Sequence, residues 1–159
     1  TAFSDVVKAY SEPLYWHIRR MVLNHDDAND LLQNTFIKAW TGIDGFLGNS
    51  KVLTWLYRIA TNETITFLNR TNTVVIEEPE TCATQLEADT YFDGDSLQTR
   101  LQEAIQTLPP KQRMVFNMKY YDDMKYEEIS SILGTSIGAL KASYHLAVKK
   151  ISSFFDDDI

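Results

Sequence analysis

The sequence has little of what most chemistry-bearing folds require. It holds a single cysteine, Cys82, so no intramolecular disulfide framework exists and a reducing compartment is expected. Its histidines, His17, His25 and His145, are dispersed, and beside one cysteine they supply no metal-ligand spacing. His17 and His25 read as surface groups. No phosphate-cradling glycine loop and no nucleophile motif is present. These gaps argue against an enzyme, and no cofactor, metal or small-molecule substrate is expected. Four prolines and six glycines are few for 159 residues, and β-branched runs are scarce. That combination predicts an all-α chain. No apolar run approaches the roughly 18 residues of a membrane span, and no signal-peptide pattern is visible, so the expected location is the cytoplasm. The chain opens at Thr1 rather than Met, and a trimmed or processed start is expected.

Charge is the next uneven quantity. The net value of −7 would disfavour a nucleic-acid partner if it were spread evenly. It is not spread evenly. Residues 1–70 carry seven basic and seven acidic side chains, and residues 96–159 carry eight of each. Residues 71–95 carry seven acids and no Lys or Arg. The excess therefore sits in one strap, and the expectation is two small helical domains, 1–70 and 96–159, joined by an acidic linker, 71–95.

Periodicity fills in the helices. Phe3, Val6, Val7, Tyr10, Leu14, Ile18, Met21 and Val22 form a helical stripe, with Pro13 predicting a kink or a fresh start. Asn24-His25-Asp26-Asp27 offers N-caps to a helix over 28–40, whose inner stripe reads Leu31, Leu32, Phe36, Ala39 and Trp40. A glycine-containing loop over 41–53 precedes a third helix from about Thr54 to Arg70. Leu56, Ile59, Ala60 and Phe67 are its inner positions. In the second half, Ser96 opens a helix that Pro109-Pro110 stops, and Lys111–Tyr121 follows. Tyr126–Leu133, Gly134 and the capping pair Thr135-Ser136 then have the pattern of a helix-turn-helix. Its second helix places Ile137, Leu140, Tyr144, Ala147, Val148 and Ile151 on one stripe. Gly138, Lys141, Ala142, His145 and Lys149 lie roughly 130° away. No acid occurs between Ile137 and Phe155. A capped helix with a small, basic outer face suits a major groove, although an ordinary helical hairpin has the same pattern.

Three stretches then resemble one family, in order. Asp26 to Trp40, DDANDLLQNTFIKAW, resembles the "DAEDLxQxTFxxxW" helix of bacterial sigma factors. Phe46-Leu47-Gly48-Asn49-Ser50 followed by Thr54 to Asn62, TWLYRIATN, resembles their promoter-melting loop and helix. Leu108-Pro109-Pro110-Lys111-Gln112-Arg113 with the helix-turn-helix resembles their carboxy-terminal domain. With only these two domains, the chain is similar to the small extracytoplasmic-function type.

The resemblance implies a factor that binds core RNA polymerase and directs promoter-specific initiation, restrained by a membrane-associated anti-sigma factor. It makes Asp30, Gln33, Asn34 and Lys38 the polymerase-docking face; by themselves these residues read as a solvated helix side. The loop would capture a flipped base of the minus-ten element, with Asn49 and Ser50 on its edge and Phe46 stacked on it. Phe46 serves equally as a core residue of an interhelical turn. Arg58, Asn62 and Asn69 share one face of the third helix and suit phosphates and base edges. Trp55 and Tyr57 are either stacking groups at the bubble edge or buried aromatics. Ser136, Lys141, His145 and Lys149 would meet the minus-thirty-five element. The sequence departs from the family at Leu47, Val52 and Glu63, and at Ser143, Leu146 and Val148, where many relatives are basic. A plain helix-turn-helix regulator, or a sigma-like decoy that does not initiate transcription, is the alternative reading.

Overall fold

A computed structural model describes residues 2–22, 24–45, 51–72 and 96–156. These form seven α-helices and one short 3-10 turn, and no strand occurs among the described residues. No described helix is long and apolar enough to cross a membrane.

Helix α1 (Ala2–Arg19) runs on through Pro13, so the fresh start allowed by the sequence does not occur. Leu14, His17 and Ile18, directly after the proline, are buried, and their packing holds the turn whose hydrogen bond the proline ring removes. Helix α2 (His25–Thr41) starts as expected. The Asn24 side chain accepts from the Asp27 amide at 2.8 Å, and Asp26 and Asp27 complement the positive end of the helix. Its buried arc is Ala28, Leu31, Thr35 and Ala39. Thr35 belongs there because its hydroxyl donates to the Leu31 carbonyl at 2.8 Å, leaving a methyl to pack. Trp40 stands one residue, about 100°, beyond Ala39. It is therefore not an inner residue but 58 % exposed, resting on Phe3 with ring centroids 4.9 Å apart.

After a 3-10 turn at Ile43–Gly45, helix α3 (Val52–Asn72) begins slightly earlier than expected. Thr54, Leu56, Tyr57, Ala60, Thr61 and Thr64 are its buried positions, whereas Ile59 and Phe67 are half-buried. Thr71 and Asn72 are its last residues, and the rest of the acidic strap lies outside the described residues.

The second half contains α4 (Ser96–Gln106), α5 (Pro110–Tyr120), α6 (Tyr126–Leu133) and α7 (Ile137–Asp156). Pro110 occupies the first turn of α5, where its missing N–H costs nothing. Gly134 ends α6 at φ +69°, the left-handed conformation that a residue without a Cβ adopts freely. The Ser136 hydroxyl then accepts from the Ala139 amide at 3.3 Å and caps α7. Leu140, Ala147 and Ile151 are the buried line of α7. Val148 lies on its flank and is 40 % exposed, so the inner stripe is one position narrower than the periodicity predicts.

Two apolar clusters hold the chain together. The smaller joins Ala104, Ile105, Leu108, Phe116, Ala147 and Ile151 within the second half. The larger starts among Leu14, Ile18, Leu31, Leu56 and Ala60 and continues into Met114, Met118, Ile129, Ile132 and Leu140. The two halves thus pack on each other, with α6 lying along α3.

Candidate nucleic-acid interface

Three surfaces carry the residues singled out by sequence. On α2, Asp30, Gln33, Asn34 and Lys38 are all exposed on one side of the helix. Ile37 and Trp40, 61 % and 58 % exposed, give the same region an apolar component absent from the sequence-based expectation. Ile37 was legible as an outward residue between Asn34 and Lys38; Trp40 was hidden by its assignment to the core. Lys38 forms an ion pair with Glu63 of α3. Glu63 occupies a half-buried position, and this pairing accounts for its charge there.

On α3, Arg58, Asn62 and Asn69 do share a face, but their surroundings differ. Asn62 and Asn69 are exposed. Arg58 is half-buried, its guanidinium committed to α6: Nε and Nη2 donate to the Ser131 carbonyl at 3.2 and 3.0 Å, and Nη2 donates to Ser131 Oγ at 2.9 Å. Tyr57 is 3 % exposed, and its hydroxyl donates to the Pro13 carbonyl at 3.4 Å, so it is a core aromatic. Burial, followed by the negative charge of Asp122, pushes its phenol well above the usual tyrosine value. Trp55 is half-buried. Phe46, Asn49 and Ser50 lie outside the described residues.

On α7, Lys141, His145 and Lys149 are exposed, along with Gly138 and Ala142 between them. Ser136 is exposed at the capped end of the helix. A Cβ built on Gly138 would meet nothing within 4 Å, so its lack of a side chain opens the outward face rather than serving internal packing. Lys141 leans toward α6, its ammonium 5.8 Å from the Tyr126 ring centre. Leu146, 47 % exposed, adds an apolar member to the same face.

A fourth group was not among the site residues expected from the sequence. His17, expected at the surface, is 1 % exposed; its Nε2 and Thr61 Oγ1 share a hydrogen bond of 3.0 Å. Its Nδ1 lies 3.4 Å from Asp122 Oδ2. Arg20 donates to Asp122 Oδ1 at 3.1 Å, and its guanidinium carbon lies 4.5 Å over the Tyr121 ring. Arg113 reaches Gln106 at 2.9 Å and the Met21 carbonyl at 3.5 Å. The position of His17 was legible, since Leu14, His17, Ile18 and Met21 follow helical spacing. Nothing in the sequence pairs Arg20 with Asp122. Among the described residues no group of three His, Cys, Asp or Glu side chains is placed to hold a metal ion.

Comparison with known proteins adds an independent line. Residues 6–73 match the family model for Sigma-70 region 2, and residues 98–151 match that for Sigma-70, region 4. The chain is 35 % identical over 156 residues to the ECF RNA polymerase sigma factor SigW of Bacillus subtilis, covering 91 % of this chain and 83 % of that protein. It is 28 % identical over 167 residues to the ECF RNA polymerase sigma-E factor of Escherichia coli, covering 96 % and 85 %. Its fold is similar to the sigma factor RpoE of Bartonella quintana, crystallised with the anti-sigma factor NepR. That match has a TM-score of 0.80 at 22 % identity over 99 % of both chains. CnrH, solved with the cytosolic domain of CnrY, matches with a TM-score of 0.76 at 23 % identity, over 99 % of this chain and 90 % of that one.

Proposed function

The chain belongs to the extracytoplasmic-function sigma factors of RNA polymerase, and from that premise we propose how its residues divide the work. It binds core RNA polymerase and directs promoter-specific initiation, and it acts by binding alone, without a catalytic step. The proposed division is a polymerase-binding and minus-ten unit over 1–70, an acidic tether over 71–95 and a minus-thirty-five reader over 96–159. The α2 face of Asp30, Gln33, Asn34 and Lys38 docks on the polymerase. Arg58, Asn62 and Asn69, with Phe46, Asn49 and Ser50 ahead of them, take the melted minus-ten strand. Ser136, Lys141, His145 and Lys149 take the upstream element. The single observation that carries this reading is the exposed polar face of α2 and, on the same chain, the capped helix α7, which holds no acid from Ile137 to Phe155.

A membrane-associated anti-sigma partner is proposed as well; among the structural neighbours, RpoE was solved with the anti-sigma factor NepR and CnrH with the cytosolic domain of CnrY. The place of action is the cytoplasm, where polymerase and promoter are. A helix-turn-helix regulator explains α6 and α7 but leaves the polar face of α2 without a role.

Run-off transcription with core polymerase and promoter DNA tests the reading. Specific transcripts only when this protein is added are the expected result. Polymerase binding without initiation identifies a decoy, and promoter binding that ignores polymerase identifies a regulator.

A further inference from the structure

Helix α7 exposes a large apolar side chain that the proposed contacts to the upstream element leave without a role. Leu146 is 47 % exposed, although the residue after it, Ala147, is fully buried. Ala147 and Ile151 share a cluster with Leu108 and Phe116, so the backbone that presents Leu146 is held by the core of the second half.

Its neighbours on the helix surface are small or cationic. Exposed Ala142 stands one turn earlier, about 40° round the helix. Lys149 and Lys150, three and four residues on, are both exposed, at a spacing that sets Cβ atoms roughly 5–6 Å apart. Lys141 and His145 complete the exposed face. Gly138 opens the start of it, since a Cβ built there would meet nothing within 4 Å. No acid occurs from Ile137 to Phe155.

A lone leucine on a solvated surface is ordinary. One set among cations on a face free of acids differs, because the cations draw in a polyanion and the apolar group meets what lies between its phosphates. In the major groove of DNA, the apolar group on a base edge is the C5-methyl of thymine. Lysines on phosphates fix the helix without reading sequence, whereas a methyl contact sets T·A apart from the other pairs.

We propose that Leu146 is a specificity-determining residue, its side chain packing on the C5-methyl group of a thymine in the upstream element. The proposal rests on the reading of α7 as the helix that enters the major groove. Water leaves both apolar surfaces when they meet, so the contact favours thymine over uracil, which differs by that methyl alone. With three lysines on α7, the attraction common to all sequences is small. A single apolar contact therefore carries a measurable share of the discrimination between sites.

The test uses the full chain bound to core polymerase. Duplexes randomised over the upstream element are selected by this holoenzyme, and each thymine of the enriched sequence is then replaced singly by uracil. The expected result is a position at which uracil lowers the affinity of the wild-type holoenzyme about fourfold, the effect of withdrawing one buried methyl. Leu146→Ala should weaken binding to the thymine duplex by a similar factor and bind the thymine and uracil duplexes equally. Leu146→Gln, which keeps the length of the side chain but not its apolar character, should also lose the preference. It decides the matter if alanine disturbs the fold, which circular dichroism checks. Leu97→Ala, at a 64 % exposed leucine on α4, should keep the full preference. The proposal is overturned if no thymine is sensitive to uracil, or if the preference survives in a folded Leu146 variant or disappears in Leu97→Ala. Weaker polymerase binding as the sole change in the Leu146 variants overturns it too, as does failure of both to fold, which would make the side chain structural. Enrichment of no sequence by the wild-type holoenzyme instead sinks the functional reading, and the proposal with it.

Discussion

The imidazole of His17 and the phenol of Tyr57 lie with ring centroids 4.7 Å apart, inclined at 52°, where α1 crosses α3. Both are almost fully buried, and the negative charge of Asp122 bears on both. Sixteen residues of the chain precede that histidine, yet the core of the first half closes around it.

This setting has an alkaline signature. Burial, with Asp122 adding to it and Arg20 opposing, raises the Tyr57 phenol above its ordinary value. The unfolded chain therefore loses this proton first, near pH 10. The stabilising contribution is complete below that pH and is lost as pH rises further. In urea titrations, Tyr57→Phe should fall short of or match wild type by a constant margin up to about pH 9. Above about pH 10, wild type should decline faster than the variant. Tyrosinate absorbance checks the cause: among the eight tyrosines, Tyr57 should resist ionisation until the protein unfolds.

Gly134 isolates backbone strain from packing. Its φ is +69°, and an added Cβ would find no atom within 4 Å. Gly134→Ala should therefore cost about 1 kcal/mol through conformation alone, with Gly134→Asn milder. A lower urea midpoint at unchanged slope is the measurement; an unaltered midpoint for alanine would show that the turn relaxes.

Lys38 and Glu63 can be separated into a stability role and a docking role. The lysine side chain is 64 % exposed, so Glu63→Gln should change stability by less than about 1 kcal/mol. Polymerase affinity in that variant should hold or rise, because the ammonium is released. Lys38→Ala should lower it by roughly fivefold, about 1 kcal/mol. Equal affinities for the two variants would remove Lys38 from the docking face.

Promoter binding through α7 should carry a measurable salt signature. Removing a phosphate contact at Lys141 lowers the slope of log affinity against log salt by about 0.9. Lys125→Ala, at the start of α6, should reduce it less. Unchanged affinity and slope for Lys141→Ala would exclude that side chain from the interface.

Much of this molecule was legible where local chemistry decides. Tyr126–Leu133, Gly134 and the Ser136 cap follow from turn and capping rules acting within a few residues. The outward position of Asp30, Gln33, Asn34 and Lys38 follows from helical spacing. Trp40 and Val148 were misplaced because hydrophobicity assigned them inward, whereas the buried arc is only as wide as the neighbouring helix requires. Thr35 shows the converse, a polar residue made internal by a bond to its own helix. The partnership of Arg58 with Ser131 was out of reach. The two are 73 positions apart, and one partner is a main-chain carbonyl that carries no sequence signature.

The position of Trp40 has an optical consequence. All three tryptophans, Trp16, Trp40 and Trp55, fall in the first half of the chain, and Trp40 stands 58 % exposed beside the proposed docking face. Intrinsic emission is thus blind to unfolding or DNA contact confined to α7. A partner that covers α2 should shift it to the blue. Without any attached dye, the protein can report which of its two ends has been engaged.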